Sequence, residues 1–216
     1  MVSWKNLNVG YDMKDLTHYT VLAELFRYPT TGMNTYSVEW RNIIDRYNPE
    51  LTLKLEPYID HIQKKNLSYQ QEYYISTFDV QAVCFLDIGY ILYGEDYKRG
   101  VFLVNIKNEQ DKAGNDCGCE LADHLPNILT LLPKLQDTKL AEELIYSILI
   151  PSLHEMIAKF KANTNLYKGL LEILVAIMDA DYPVLGYERF IFSPLSKINF
   201  LESFPQEKDI PEGCNF

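Results

Sequence analysis

The run Leu166-Tyr-Lys-Gly-Leu-Leu-Glu-Ile-Leu-Val-Ala-Ile-Met178 decides the architecture. Its apolar side chains recur at helical spacing on several faces, with Leu170, Leu171, Leu174, Ile177 and Met178 all available for packing. This predicts a helix lying centrally among others rather than one resting on a surface. The preceding stretch, residues 140–160, carries Leu144, Ile148, Leu153, Met156, Ile157 and Phe160 at the same period. Pro151 interrupts it, and because proline has no N–H to give, a kink or break is expected there.

The N-terminal half repeats the pattern. Asp12 or Asp15 is placed to cap a first helix with Leu16, Tyr19, Leu22, Leu25 and Phe26 on one side, ended by Tyr28-Pro29. Residues 35–47 form a second, through Tyr36, Trp40, Ile43, Ile44 and Tyr47, and Asn48-Pro49 opens a third carrying Leu51, Leu55, Tyr58, Ile59 and Ile62. From Ser68 a helix is expected to reach Thr77, and a more buried one to start at Asp79 and close at Gly94. Asp96 then caps a helix through Lys112, with Val101, Val104 or Leu103, and Ile106 inward, ended by Ala113-Gly-Asn115. Residues 115–120 read as an exposed loop, after which Asp123 caps a short helix over 125–135.

No β-type alternation, glycine fingerprint or fixed repeat interrupts these helices, so the expected fold is all-α: a single-domain helical bundle over residues 1–180. Residues 181–216, with Pro183, Pro194, Pro205 and Pro211, are expected to be an extended segment packed on the bundle or partly disordered. The chain's 216 residues, 47% of them hydrophobic, suffice for one substantial core.

Charge and composition narrow the function. A net charge of −10 opposes binding to nucleic acid, whose affinity rests on Lys and Arg releasing counterions, and favours basic partners. No apolar run approaches the roughly 18 to 20 residues needed to cross a bilayer, so no membrane insertion is expected. The N-terminal Met1-Val-Ser-Trp-Lys-Asn-Leu-Asn has no export-signal pattern, and a cytoplasmic location is expected. The cysteines Cys84, Cys117, Cys119 and Cys214 are few and read as reduced.

One set of residues carries more information than these patterns. Ser76-Thr-Phe-Asp79, Leu86, Tyr90 and Tyr93, Asp96-Tyr-Lys-Arg-Gly100, Lys107, Gly114 and Glu120-Leu-Ala-Asp-His-Leu-Pro126 together resemble the nitrate reductase delta-subunit family, the NarJ-type assembly chaperones. Ala122 stands where that family has the first proline of its Leu-Pro-Asp-His-Leu-Pro turn. Leu25-Phe-Arg-Tyr-Pro29, Leu149-Ile-Pro-Ser-Leu153 and Asn165-Leu-Tyr167 extend the resemblance over residues 16–178. It implies a non-catalytic chaperone, without a cofactor of its own, that binds the N-terminal leader of the molybdopterin-containing catalytic subunit of a respiratory oxidoreductase and holds it for cofactor insertion. A generic helical adaptor is the alternative.

A basic leader that forms a short amphipathic helix suits a groove of rings and carboxylates. The candidate groove residues are Tyr73, Phe78, Asp79, Tyr90, Tyr93, Asp96, Asp123 and His124, with Arg99, Gly100, Leu125 and Pro126 as the structural motif. Plainer roles are open for several. Phe78 and Tyr90 can be pure packing, and His124 can lock its turn through a neighbouring carbonyl. Arg99 can pair with Asp79 or Asp96. Cys117-Gly-Cys119 near His124 falls short of a zinc ligand set, whose spacing is wider, and Glu120 and Asp123 have no nucleophile beside them to suggest catalysis.

Overall fold

The computed structural model describes residues 15–161, 164–183 and 186–192, and among these the chain is all-helical. In chain order the helices are α1 (His18–Ala23), α2 (Ser37–Tyr47), α3 (Pro49–Lys64), α4 (Leu67–Phe78), α5 (Ile88–Tyr93), α6 (Lys98–Lys112), α7 (Leu125–Leu131), α8 (Thr138–Glu143), α9 (Ile150–Lys159) and α10 (Leu166–Asp181). Short 3₁₀ turns extend α1 over Glu24–Phe26, precede α2 over Met33–Tyr36 and follow α7 over Leu132–Lys134, and a π turn, Leu144–Leu149, joins α8 to α9. The one β-type feature among the described residues is an isolated antiparallel bridge between Asp87 and His124.

The capping residues explain most boundaries. Asn48 accepts the Glu50 N–H at 2.9 Å and Pro49 opens α3, a position where its missing donor costs nothing. Asn66 and Asn165 do the same for α4 and α10, accepting from Tyr69 and Tyr167, and Asp96 accepts from Lys98 ahead of α6. Asp15 accepts from the backbone and hydroxyl of Thr17, just before α1; Asp12 lies outside the described residues. Gly94 ends α5 at φ +57°, a left-handed conformation that a side chain would resist.

Helix α10 is central, as its many-sided apolarity requires: it packs on α3, α2 and α9 and buries Tyr167, Leu170, Leu171, Ile173, Leu174, Ile177 and Met178. Trp40 of α2 is wholly buried and donates its indole N–H to the Val21 carbonyl at 2.9 Å, tying α2 to α1. Helix α1 rests on α7, α5 on both α6 and α9. Each fully buried Leu, Ile or Phe in this core contributes about 1.5–3 kcal/mol. At the far end of α10, Asp181 accepts from the hydroxyls of Tyr19 at 2.8 Å and Tyr47 at 3.0 Å and lies 3.1 Å from His18 Nε2, which joins α1, α2 and α10 through polar side chains.

Four expectations need correction. The segment after α4 does not start a helix at Asp79: it is irregular through Asp87, because its backbone turns back on Thr77, whose carbonyl accepts from Val83 and Cys84, and then pairs with residues 123–125. Asp123 does not cap α7; its carboxylate points to α5 instead. On α6 the inward residues are Phe102 and Ile106, while Val101 and Val104 face outward at 40% and 59% exposure. Asn115, at the start of the expected exposed loop, is buried.

The sequence predicts a kink or break at Pro151. The chain does not break; it widens into the π turn, so that Pro151 falls in the first turn of α9. Pro151 has no N–H to return to Ser147, and the Ser147 carbonyl accepts instead from the backbone N–H of Phe190 at 2.9 Å. Residues 186–192 thus lie against the bundle, whereas Cys214, Pro194, Pro205 and Pro211 fall outside the described residues. No helix is long and apolar enough to cross a membrane among the described residues.

Candidate functional site

The irregular segment before α5 and the turn before α7 meet edge to edge. The Ile88 N–H reaches the Asp123 carbonyl at 3.0 Å and the Leu125 N–H reaches that of Leu86 at 2.9 Å, and this backbone clasp brings Asp87 opposite His124. The Nδ1 of His124 lies 3.0 Å from one oxygen of Asp87, and a guanidinium nitrogen of Arg99, from the first turn of α6, lies 3.4 Å from the other. A carboxylate only accepts, so Nδ1 carries the proton in this pair. Arg99 also stands 5.2 Å above the Tyr90 ring, against whose other partner, Phe85, the ring centroids are 4.7 Å apart edge-on. Asp87, Tyr90, Arg99 and His124 are each partly accessible, so this junction presents a carboxylate, a cation, an imidazole and two rings to solvent.

Asp123 lies beneath it. One carboxylate oxygen accepts the Gly89 N–H at 2.9 Å; the other is buried with no hydrogen-bond partner. The approach is possible because residue 89 has no side chain: a Cβ there would sit 2.7 Å from the Asp123 carboxylate and 3.0 Å from the Phe102 ring. Burial, helped by the neighbouring charge of Asp87, raises the Asp123 pKa above its ordinary 3.8. A raised acid pKa means the folded state holds the proton more tightly than the unfolded chain does. Its contribution to stability is therefore full at low pH and lost as pH climbs from 3.8 through the folded value. Asp123→Asn keeps an acceptor for Gly89 and removes that loss. The stability of the variant relative to wild type should grow through the same interval and level off above it, read from urea midpoints across a pH series. A pH-independent difference would mean that Asp123 ionises as a solvated acid.

The candidate residues do not all converge here. Tyr90, Asp123 and His124 do, with Arg99, which pairs with Asp87 rather than with Asp79 or Asp96. Leu125 and Pro126 form the buried first turn of α7, and Gly100 has open space around it. Phe78 is buried, its ring 4.7 Å from that of Tyr167, and Tyr73 stacks on the same ring at 5.9 Å while its hydroxyl accepts the Leu166 N–H. Asp79 and Asp96 are exposed at helix ends. Tyr93 meets Phe102 on one side and Phe190 on another. Asp87 and Phe85 went unforeseen, although Asp87 is the lone charged residue in the apolar run of residues 82–93 and so marked a place where the chain had to supply a partner.

A second polar assembly holds the 115–122 loop against α6 and α7. Asn115 donates to Gln110 Oε1 at 2.6 Å and to Thr130 at 3.1 Å, and accepts from Lys134 at 2.6 Å. Gln110 donates to the Ala122 and Asn127 carbonyls, and Asn127 to those of Leu121 and Cys117. Above this network lies an open cleft of about 500 Å³ edged by Leu103, Leu121 and Cys117 and by the acids Asp111, Asp116 and Glu120. Cys117 is half-buried beside the Asn115 carbonyl, the Cys84 thiol is pushed up to about 12 by burial, and none of the three described cysteines is disulfide-bonded. Among the described residues no three His, Cys, Asp or Glu side chains are placed to hold a metal ion.

No family model matches the chain. A probable nitrate reductase molybdenum cofactor assembly chaperone, NarJ, of Bacillus subtilis (strain 168) is similar to it: 23% identical over 163 residues, covering 74% of this chain and 88% of that protein. This is a distant homology to a NarJ-type chaperone. It extends over most of both chains and so is not confined to one motif.

Proposed function

We propose that this protein is a chaperone that binds the N-terminal leader of the molybdopterin-containing catalytic subunit of a nitrate-reductase-like enzyme, in the cytoplasm, and holds it while the molybdenum cofactor is inserted. The observation that carries this reading is the 163-residue likeness to NarJ. Two features support it. Tyr90, Arg99 and His124, drawn from separate parts of the chain, gather at one accessible junction, with Asp123 buried beneath it. The chain's net charge of −10 favours a basic guest, raising encounter rate more than final affinity. The guest meets the rings of Phe85 and Tyr90 and the carboxylate of Asp87, whose present partners His124 and Arg99 must shift or share it.

Isothermal titration of a synthetic leader from such a catalytic subunit tests this. Wild type should bind it. His124→Ala, which removes a partly exposed ring and leaves Asp87 to Arg99 alone, should weaken binding about ten-fold, or 1.4 kcal/mol, while helical circular dichroism stays unchanged. Absence of binding by wild type to leaders of several molybdoenzymes would leave a general helical adaptor as the better description.

A further inference from the structure

Residues 186–192, Gly-Tyr-Glu-Arg-Phe-Ile-Phe, lie as a non-helical segment across the face made by α8, the π turn, α10 and α5, and each of its contacts is of a kind used in peptide recognition. The Phe190 N–H occupies the Ser147 carbonyl that Pro151 leaves open. The Arg189 guanidinium stands 4.5 Å over the Tyr146 ring and 3.1 Å from the Asp179 carboxylate. The Phe190 ring meets Tyr93 edge-on at 5.7 Å, and Tyr187 lies in a setting made acidic by Glu142, Glu143 and Asp137. A backbone hydrogen bond, a cation on an aromatic face backed by a carboxylate, and a ring in a shallow seat together read an arginine followed by an aromatic residue.

The segment is also held lightly. Ile191 is 62% and Phe192 38% exposed, so two of its large apolar side chains gain little from staying in place. Segments with so little buried surface open at low cost.

We propose that the face formed by Tyr93, Tyr146, Ser147 and Asp179 is a docking surface for an extended peptide bearing an arginine next to an aromatic residue, and that Arg189-Phe190 occupies it until such a peptide displaces them. The acids Asp137, Glu142, Glu143 and Asp179 around the seat match a basic guest. That the guest is the client's leader rests on the function proposed above; the surface and its present occupant do not.

The test uses the full chain and a fluorescent Gly-Tyr-Glu-Arg-Phe-Ile-Phe peptide, read by anisotropy. In wild type the tethered copy competes at high effective concentration, so Arg189→Ala/Phe190→Ala should bind the peptide about ten-fold more tightly or better. Adding Asp179→Asn should abolish that gain. Equal binding to wild type and double variant, or a gain that survives Asp179→Asn, overturns the proposal. If the double variant does not fold, Arg189→Lys/Phe190→Leu replaces it; failure of that variant to fold makes the segment an integral part of the core and also overturns the proposal. A leader peptide run in parallel separates the two claims. Binding of the heptapeptide without any leader leaves the surface standing and removes the chaperone reading, whereas a leader that binds wild type and double variant alike docks elsewhere and removes the leader as guest.

Discussion

Tyr167→Ala should lower the stability of the protein by about 3–5 kcal/mol and its melting temperature by roughly 10 °C. The Tyr167 ring is buried at the start of α10 with four other rings around it: Phe78 at 4.7 Å, Tyr58 and Tyr74 at 5.8 Å and Tyr73 at 5.9 Å. Alanine leaves a void that none of these can fill without leaving its own partner, since Tyr58 is also against Trp40 and Tyr73 against His61. Tyr167→Phe keeps the packing and serves as the control. Thermal melts followed by near- and far-ultraviolet circular dichroism distinguish the outcomes. Melting of the alanine variant at the wild-type temperature would mean that this cluster is not core, and would return Tyr73 and Phe78 to the set of side chains available to a guest.

Asn115→Ala should cost about 3 kcal/mol, because it strips from Gln110 Oε1 its donor among the described residues, in a place that is closed to water. The same change removes the acceptor for Lys134 and the donor to Thr130, and with them the pins that hold the 115–122 loop on α6 and α7. Urea unfolding should show a lower midpoint with an unchanged slope. Lys134→Ala, which removes the exposed member of the network, should cost far less, because Lys134 sits in water and its charge is satisfied there. Equal costs for the two would mean that the network's value lies in the surface pair and not in its buried centre.

The sequence was most informative where local chemistry decides the outcome. Asn48-Pro49 and Asn165 place the starts of α3 and α10, Asp96 places that of α6, and the period of Leu170, Leu171, Leu174 and Ile177 identifies the central helix, because capping and periodicity act within a few residues. It was least informative where a distant strand of chain intervenes. Residues 79–87 have the composition of a helix and are not one, since their backbone groups pair with Thr77 and with residues 123–125. Asp123 stands where a cap is expected, yet the N–H it serves belongs to Gly89, 34 residues away. On α6 the sequence pattern puts Val101 inward, but its neighbour Phe102, four residues before Ile106 and so on the same face, is the one buried. Of the candidate site, Tyr90, Arg99, Asp123 and His124 could be found from motif residues, while Asp87 and Phe85 could be joined to them only once the clasp between the two segments was known.

The open Ser147 carbonyl bears on how quickly the seat beside it can change hands. Any extended chain brings an amide to that oxygen, and water can serve it while the seat is vacant, so the carbonyl keeps a donor before, during and after an exchange. No conserved amide of the incoming chain has to be matched, and no bond has to be broken without a replacement at hand. Turnover at this position is therefore governed by one ring and one guanidinium, contacts of a size that thermal motion undoes readily, and a guest held there can be handed on without unfolding any helix of its host.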